Sequence, residues 1–344
     1  MNTGVPSVPL GRLRGIAVSA HWSTLVAVMV IAQVVAVSVL PQAASGQDDV
    51  VYWIAGALSA LAFMLSLLAH ELAHALVAQR CGVGVDRIDL WLLGGVSRLS
   101  APPPSPKAEF LIAAAGPATN VLVAILAGVA GTGLAAWGAP ALVASPLLWL
   151  AIANSVLAVF NLVPAAPLDG GRLLAAAVWW HTGDEARGTK VATVAGRAFG
   201  LALAAIGLTQ VFAGALSGLW LVLLGVYLVV SSTAEQTANE QRHRLGDVLV
   251  RDVMTPDPPI APGWWTVRTF LHSLSSGPHR QFFPVVSFEG AAVGVVTLPE
   301  LIRVPDPLNT RVGDICRSLS GATVASPDEH LLDVLRRAGK EVVL

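Results

Sequence analysis

Leu67-Leu68-Ala69-His70-Glu71-Leu72-Ala73-His74-Ala75-Leu76 sets three ionisable side chains within five residues of an otherwise apolar run. The run reaches back to Val51, long enough to cross a bilayer, which takes about 20 apolar residues. Ionisable groups at hydrocarbon depth cost about 2.5–3.5 kcal/mol each on insertion scales and therefore mark function. On a helix, positions 70 and 74 share a face. Two imidazole nitrogens at that spacing suit a tetrahedral zinc ion, and Glu71 beside them is placed as a general base toward water at such an ion. The bland reading, two buried histidines satisfied by nearby backbone or carboxylate groups, has less room inside a membrane span than in a soluble helix.

The rest of the chain supports a membrane setting. It has 344 residues, 54% hydrophobic and 12% charged, against about 25% charged in an ordinary soluble domain. The deficit lies in residues 15–234; the stretch after Thr233 reads as soluble protein. Six windows qualify as spans: 22–40, 51–77, 110–136, 146–163, 191–212 and 216–230. Arg12 and Arg14 precede the first, which exceeds the roughly 7–15 residues of a secretory core and is read as a retained span. The connections 41–49 and 131–145 and the turn near Gly214 carry no Lys or Arg. Arg80, Arg87, Arg98, Lys107, Arg172, Arg187 and Lys190 fall in the opposite loops, with the basic residues of both ends. The positive-inside rule then expects a multi-pass protein embedded in the lipid bilayer with both termini cytoplasmic; three lysines against eighteen arginines, with abundant alanine, suggest a bacterial source and so a bacterial cell membrane. A net charge of −1 without a basic cluster argues against nucleic acid as a partner. Cys81 and Cys316 match neither a disulfide framework nor a Cys-x-x-Cys metal pattern.

A catalytic zinc site takes three protein ligands and a water. The fourth span runs into Asn161-Leu162-Val163-Pro164-Ala165-Ala166-Pro167-Leu168-Asp169-Gly170-Gly171. Such a break is tolerated only where the backbone is buried in protein or lines a wet cavity. Asp169 is the candidate third ligand; alone, it would read as the cap of a helix starting at Gly170. In segment 83–99, Val83, Val85, Ile88, Leu90 and Leu92 give short alternations and Gly94-Gly95 offers a turn, a hairpin pattern. Its edge strand could take an unwound substrate as an added strand, or it is a plain cytoplasmic hairpin. Ser105-Pro106 reads as the cap and first position of the third helix.

These motifs together resemble the site-2 protease family of intramembrane metalloproteases, over about residues 10–234. Gly116-Pro117-Ala118-Thr119-Asn120 is similar to that family's Gly-Pro-x-x-Asn element. His21, after Gly15-Ile16-Ala17-Val18, is similar to the branch that includes bacterial sporulation proteases. The resemblance implies hydrolysis of a peptide bond within or near the transmembrane segment of a membrane-protein substrate, as in regulated proteolysis of anti-sigma or pro-sigma factors. It implies one Zn2+ per chain on His70, His74 and Asp169, with Glu71 activating water. Asn161 and Asn120 become catalytic polar groups that orient substrate or stabilise the oxyanion. Asn120 reads equally as helix-packing glue beside Gly116, and His21 reads more readily as structural.

The domains expected are a protease domain at 1–234, a linker at 235–244 and a regulatory domain at 245–344. Val248…Asp252-Val253-Met254-Thr255-Pro256 resembles the opening of a cystathionine-beta-synthase-type (CBS) domain. Residues 283–286 and 294–297 are similar to its later strands. A second copy begins at Val312-Gly313-Asp314-Ile315 and is incomplete at Leu344. That resemblance implies an adenine nucleotide contacted by Thr297 and Glu300, the latter where the family typically has Asp, or else a homodimer through this domain. The fold class expected is an α-helical polytopic membrane protein with six transmembrane helices, a small membrane-associated β-hairpin and a C-terminal α/β CBS-type domain. The competing function is a transporter or channel gated by the tail, with the intramembrane His, Asp and Asn lining an ion path. Glu71 beside a histidine pair at ligand spacing has no place in that reading.

Overall fold

A computed structural model describes residues 7–91, 94–246, 248–274, 281–319 and 324–338. The chain divides into two compact units, Met1–Thr237 and Ala238–Leu344.

The first unit begins with strands β1 (Ser7–Leu13) and β2 (Ile16–His21). Helix α1 (Trp22–Val34) continues through a π-helical turn, Val35–Val39, into α2 (Leu40–Ala43), forming one span. Then come α3 (Asp49–Arg80), strands β3 (Val85–Trp91) and β4 (Gly94–Leu99), α4 (Pro106–Ala136) and α5 (Ala141–Asn161). They are followed by α6 (Asp169–Thr182), α7 (Glu185–Phe212) and α8 (Gly218–Gly246). Among the described residues six helices are long and apolar enough to cross a membrane, the number expected. Most run several residues past their apolar windows, because helical hydrogen bonding continues after hydropathy falls. Helix α8 passes through 235–244, where a linker was expected. Ser105 caps α4 by accepting from the Ala108 N–H, and Pro106 is its first residue.

The hairpin is half of a larger sheet. Four strands pair in the order β1-β2-β3-β4, β2 with β3 in parallel and the other pairs antiparallel. Gly94 and Gly95 are not the turn: they open β4, opposite Trp91 and Leu90, and Leu92 lies outside the described residues. Ile16, Ile88 and Leu90 bury their side chains against Ala75 of α3, so the sheet is seated on the helix that carries His70 and His74.

The second unit contains α9 (Val250–Val253), β5 (Ala261–Pro262), α10 (Val267–Ser273), β6 (Phe282–Val286) and β7 (Ala292–Thr297). These lead to α11 (Leu298–Ile302), α12 (Val312–Ile315), β8 (Arg317–Ser318) and α13 (Leu331–Ala338). The sheet runs β5-β6-β7-β8, around a core of Phe270, Phe283, Val285, Val296 and Leu301. The two segments similar in sequence make matching backbone bonds. Val267 N–H donates to the Thr310 carbonyl as Leu331 N–H does to Val248, and Val312 N–H to Trp265 as Val250 N–H does to Glu329.

Candidate metal centre

Helix α3 carries His70, Glu71 and His74, all buried. The third donor arrives from the loop between α5 and α6. That loop is fixed by its backbone: Ala166 N–H donates to the Ala192 carbonyl of α7 at 3.1 Å, and Ser232 Oγ of α8 donates to the Ala166 carbonyl at 2.6 Å. A Cβ at Gly170 would stand 2.3 Å from the Val163 carbonyl oxygen, so this tight return requires glycine. Asp169 is the first residue of α6. The helix start that Asp169 might merely have capped instead aims its carboxylate at the two histidines, with the positive end of the helix dipole behind it.

The three side chains converge. His70 Nε2 and His74 Nε2 are 3.1 Å apart. Asp169 Oδ2 lies 3.3 Å from His70 Nε2 and Oδ1 3.3 Å from His74 Nε2. A tetrahedral zinc with bonds of about 2.0–2.1 Å would separate its donors by roughly 3.3–3.4 Å, so the triangle has the right edge lengths. His74 Nδ1 donates to the Ile112 carbonyl at 2.7 Å, which leaves a lone pair on Nε2 facing the other donors. Buried lone pairs and a carboxylate aimed at one point repel one another unless a cation stands between them. The donor set, its spacing and the His74 tautomer all fit zinc.

Helix α4 closes one side. A Cβ at Gly116 would meet His74 Nε2 at 2.2 Å and His70 Cε1 at 2.5 Å, so Gly116 makes room for the imidazoles rather than for a helix–helix contact. One turn on, Asn120 is 0% exposed, and neither its Oδ1 nor its Nδ2 has a hydrogen-bond partner among the described residues. An amide serving as glue between helices would be bonded across the interface. The sheet closes another side: Ser97 Oγ of β4 donates to Glu71 Oε2 at 2.9 Å, and Gly95 leaves no space for a Cβ against Glu71 Cγ, at 2.3 Å.

The other sequence candidates fall elsewhere. Asn161 ends α5, half-buried, and its side chain has no hydrogen bond to a described residue. His21 caps α1, its Nδ1 accepting from the Ser23 N–H, a structural role. Thr297 Oγ1 donates to Glu300 Oε2 at 2.7 Å, and Glu300 Oε1 pairs with Arg317, so these two form a helix cap and an ion pair. Sequence reading passed over Ser97, the Ile112 carbonyl and Asn154, an intramembrane amide wholly buried in α5. Asn154 alone carried a signal, a polar residue inside an apolar window.

The sequence matches the model of peptidase family M50 over residues 58–203. It is 41% identical to Rip3 of Mycobacterium tuberculosis over 334 residues, which cover 96% of this chain and 85% of that one. It is 28% identical to sll0528 of Synechocystis sp. over 306 residues, 87% of this chain and 78% of the relative. Both relatives bear names that place them among zinc metalloproteases. A solved site-2 protease from Methanocaldococcus jannaschii aligns at 24% identity with a TM-score of 0.46, covering 67% of this chain and 95% of that one. This multi-pass membrane chain therefore belongs to peptidase family M50, among the zinc metalloproteases.

Proposed function

We propose that the chain hydrolyses a peptide bond within or near the transmembrane segment of a membrane-protein substrate, using His70, His74 and Asp169 to hold one zinc ion. The observation that carries this reading is the convergence of His70 Nε2, His74 Nε2 and the Asp169 carboxylate beside Glu71, in a unit of membrane-length helices. Zinc held there supplies a Lewis acid for the scissile carbonyl and lowers the pKa of water. The Glu71 carboxylate takes a proton from the attacking water and passes it to the leaving amide nitrogen, while Ser97 Oγ holds its Oε2. Asn120, buried without a partner among the described residues, is a candidate to hydrogen-bond a substrate carbonyl, and Asn161 is a second amide for the same task.

A helical substrate hides its carbonyls in its own hydrogen bonds and has to unwind before attack. Strand β4 is a sheet edge lying against Glu71, and an extended substrate segment added there would reach the base. The basic loops support an orientation with this edge and both termini on the cytoplasmic side of a bacterial membrane. We assign the second unit to a CBS-type module with a regulatory or dimerising role. Because Thr297 and Glu300 bond each other and Arg317, an adenine nucleotide would have to displace those contacts, which favours the homodimer. The test is co-reconstitution with a single-span substrate. Glu71→Gln should keep about one zinc per chain while cleavage falls by about 10²–10⁴-fold. Wild-type turnover by a zinc-loaded Glu71→Gln variant would refute the mechanism.

A further inference from the structure

Arg172 lies one helical turn past Asp169 on α6, and Glu109 one turn before Ile112 on α4. Arg172 Nε donates to Glu109 Oε1 at 2.8 Å and its Nη2 to Oε2 at 3.2 Å, a two-pronged charge-assisted pair. The side chains are only 29% and 14% exposed. Ion pairs so removed from water return little net stability, because desolvation offsets their attraction. General stabilisation is therefore a poor reason for these charges.

Their place in the site offers a better one. His74 Nδ1 donates to the Ile112 carbonyl at 2.7 Å. One turn back along α4 is Glu109, joined to Arg172. One turn back along α6 is Asp169, whose Oδ1 lies 3.3 Å from His74 Nε2. The contacts close a ring that begins and ends on the same imidazole, with α4 and α6 each contributing a single turn. Asp169 enters from a separate helix, so its distance from α3 depends on how α6 is held against α4, and the Glu109–Arg172 pair is the polar tie between those helices in this ring.

We propose that Glu109 and Arg172 are positioning residues that act through Asp169, holding the third zinc ligand at bonding distance from His70 and His74. This rests on the reading of Asp169 as a ligand. The test uses the purified full-length chain, with zinc affinity measured by chelator competition and thermal stability followed alongside. Arg172→Gln and Glu109→Gln should each weaken zinc binding about 10–100-fold, and Arg172→Lys should recover part of the loss. In an Asp169→Ala background neither substitution should weaken zinc further, since the group they position is gone. A purely structural tie would cost the same affinity in both backgrounds, and that result overturns the proposal. So would unchanged affinity in folded Glu109→Gln, the near-isosteric variant that guards against misfolding of the Arg172 changes. Wild-type zinc affinity in Asp169→Ala alone would instead refute the ligand reading beneath it.

Discussion

A methyl group added at Gly116 would stand 2.2 Å from His74 Nε2, with no flexible side chain in between to yield. Gly116→Ala should therefore displace a ligand imidazole and lose most bound zinc. Gly133→Ala, in the same helix but with nothing within 4 Å of the added carbon, should keep zinc and turnover; metal analysis of both proteins checks the pair. Ser97→Ala should retain zinc yet slow cleavage several-fold, because Glu71 loses a hydrogen bond that orients it. His70, Glu71 and His74 could be read from sequence because helical spacing and hydrocarbon cost single them out without knowledge of the fold. Asp169 could be read because Pro164, Pro167 and the glycine pair break a span beside it. The Ile112 carbonyl could not, since a backbone acceptor has no side-chain signature. The role of Gly116 was equally hidden, because a glycine that admits a ring resembles one that admits a helix.

At the scale of elements, the long helices declared themselves through apolar length, and the hairpin of β3 and β4 through its short alternations. Strand β1 did not, because every residue of it is exposed and it shows no alternation. Placing Gly94 and Gly95 in a turn followed ordinary glycine preference. The strand position of Gly95 answers a tertiary demand, the passage of Glu71 beneath it. Gly95→Ala should accordingly keep zinc but lose activity as the base is pushed aside, measured as turnover per bound zinc. The α7–α8 contact makes a separate prediction. A Cβ at Gly200 would lie 2.7 Å from the Gly225 carbonyl oxygen, and one at Gly225 2.4 Å from that of Gly200. Gly200→Val should lower the melting temperature in detergent by several degrees, through lost close packing of backbones rather than any change at the metal.

At the scale of the whole molecule, the division into two units is legible because the composition shifts after Thr233, from apolar spans to a stretch of ordinary charge. Burial pushes the Glu300 carboxyl up, but bonds from the Thr297 hydroxyl and N–H and from Arg317 outweigh it and hold the group below its ordinary value of 4.5. A carboxyl depressed by folding contributes stability above its unfolded pKa, and that contribution is lost as pH falls through the folded value. Hydrogen-exchange protection of β7 should thus decline on acidification below about pH 4.5, and Arg317→Ala should flatten that decline. The account as a whole stands on one triad of ligands, and zinc-edge X-ray absorption of the purified full-length protein tests it most directly. It predicts two imidazole nitrogens with oxygen donors at about 2.0–2.1 Å, one imidazole fewer in His74→Ala, and an altered oxygen shell in Asp169→Ala. Sulfur scattering at about 2.3 Å, or spectra unchanged by either substitution, would contradict it.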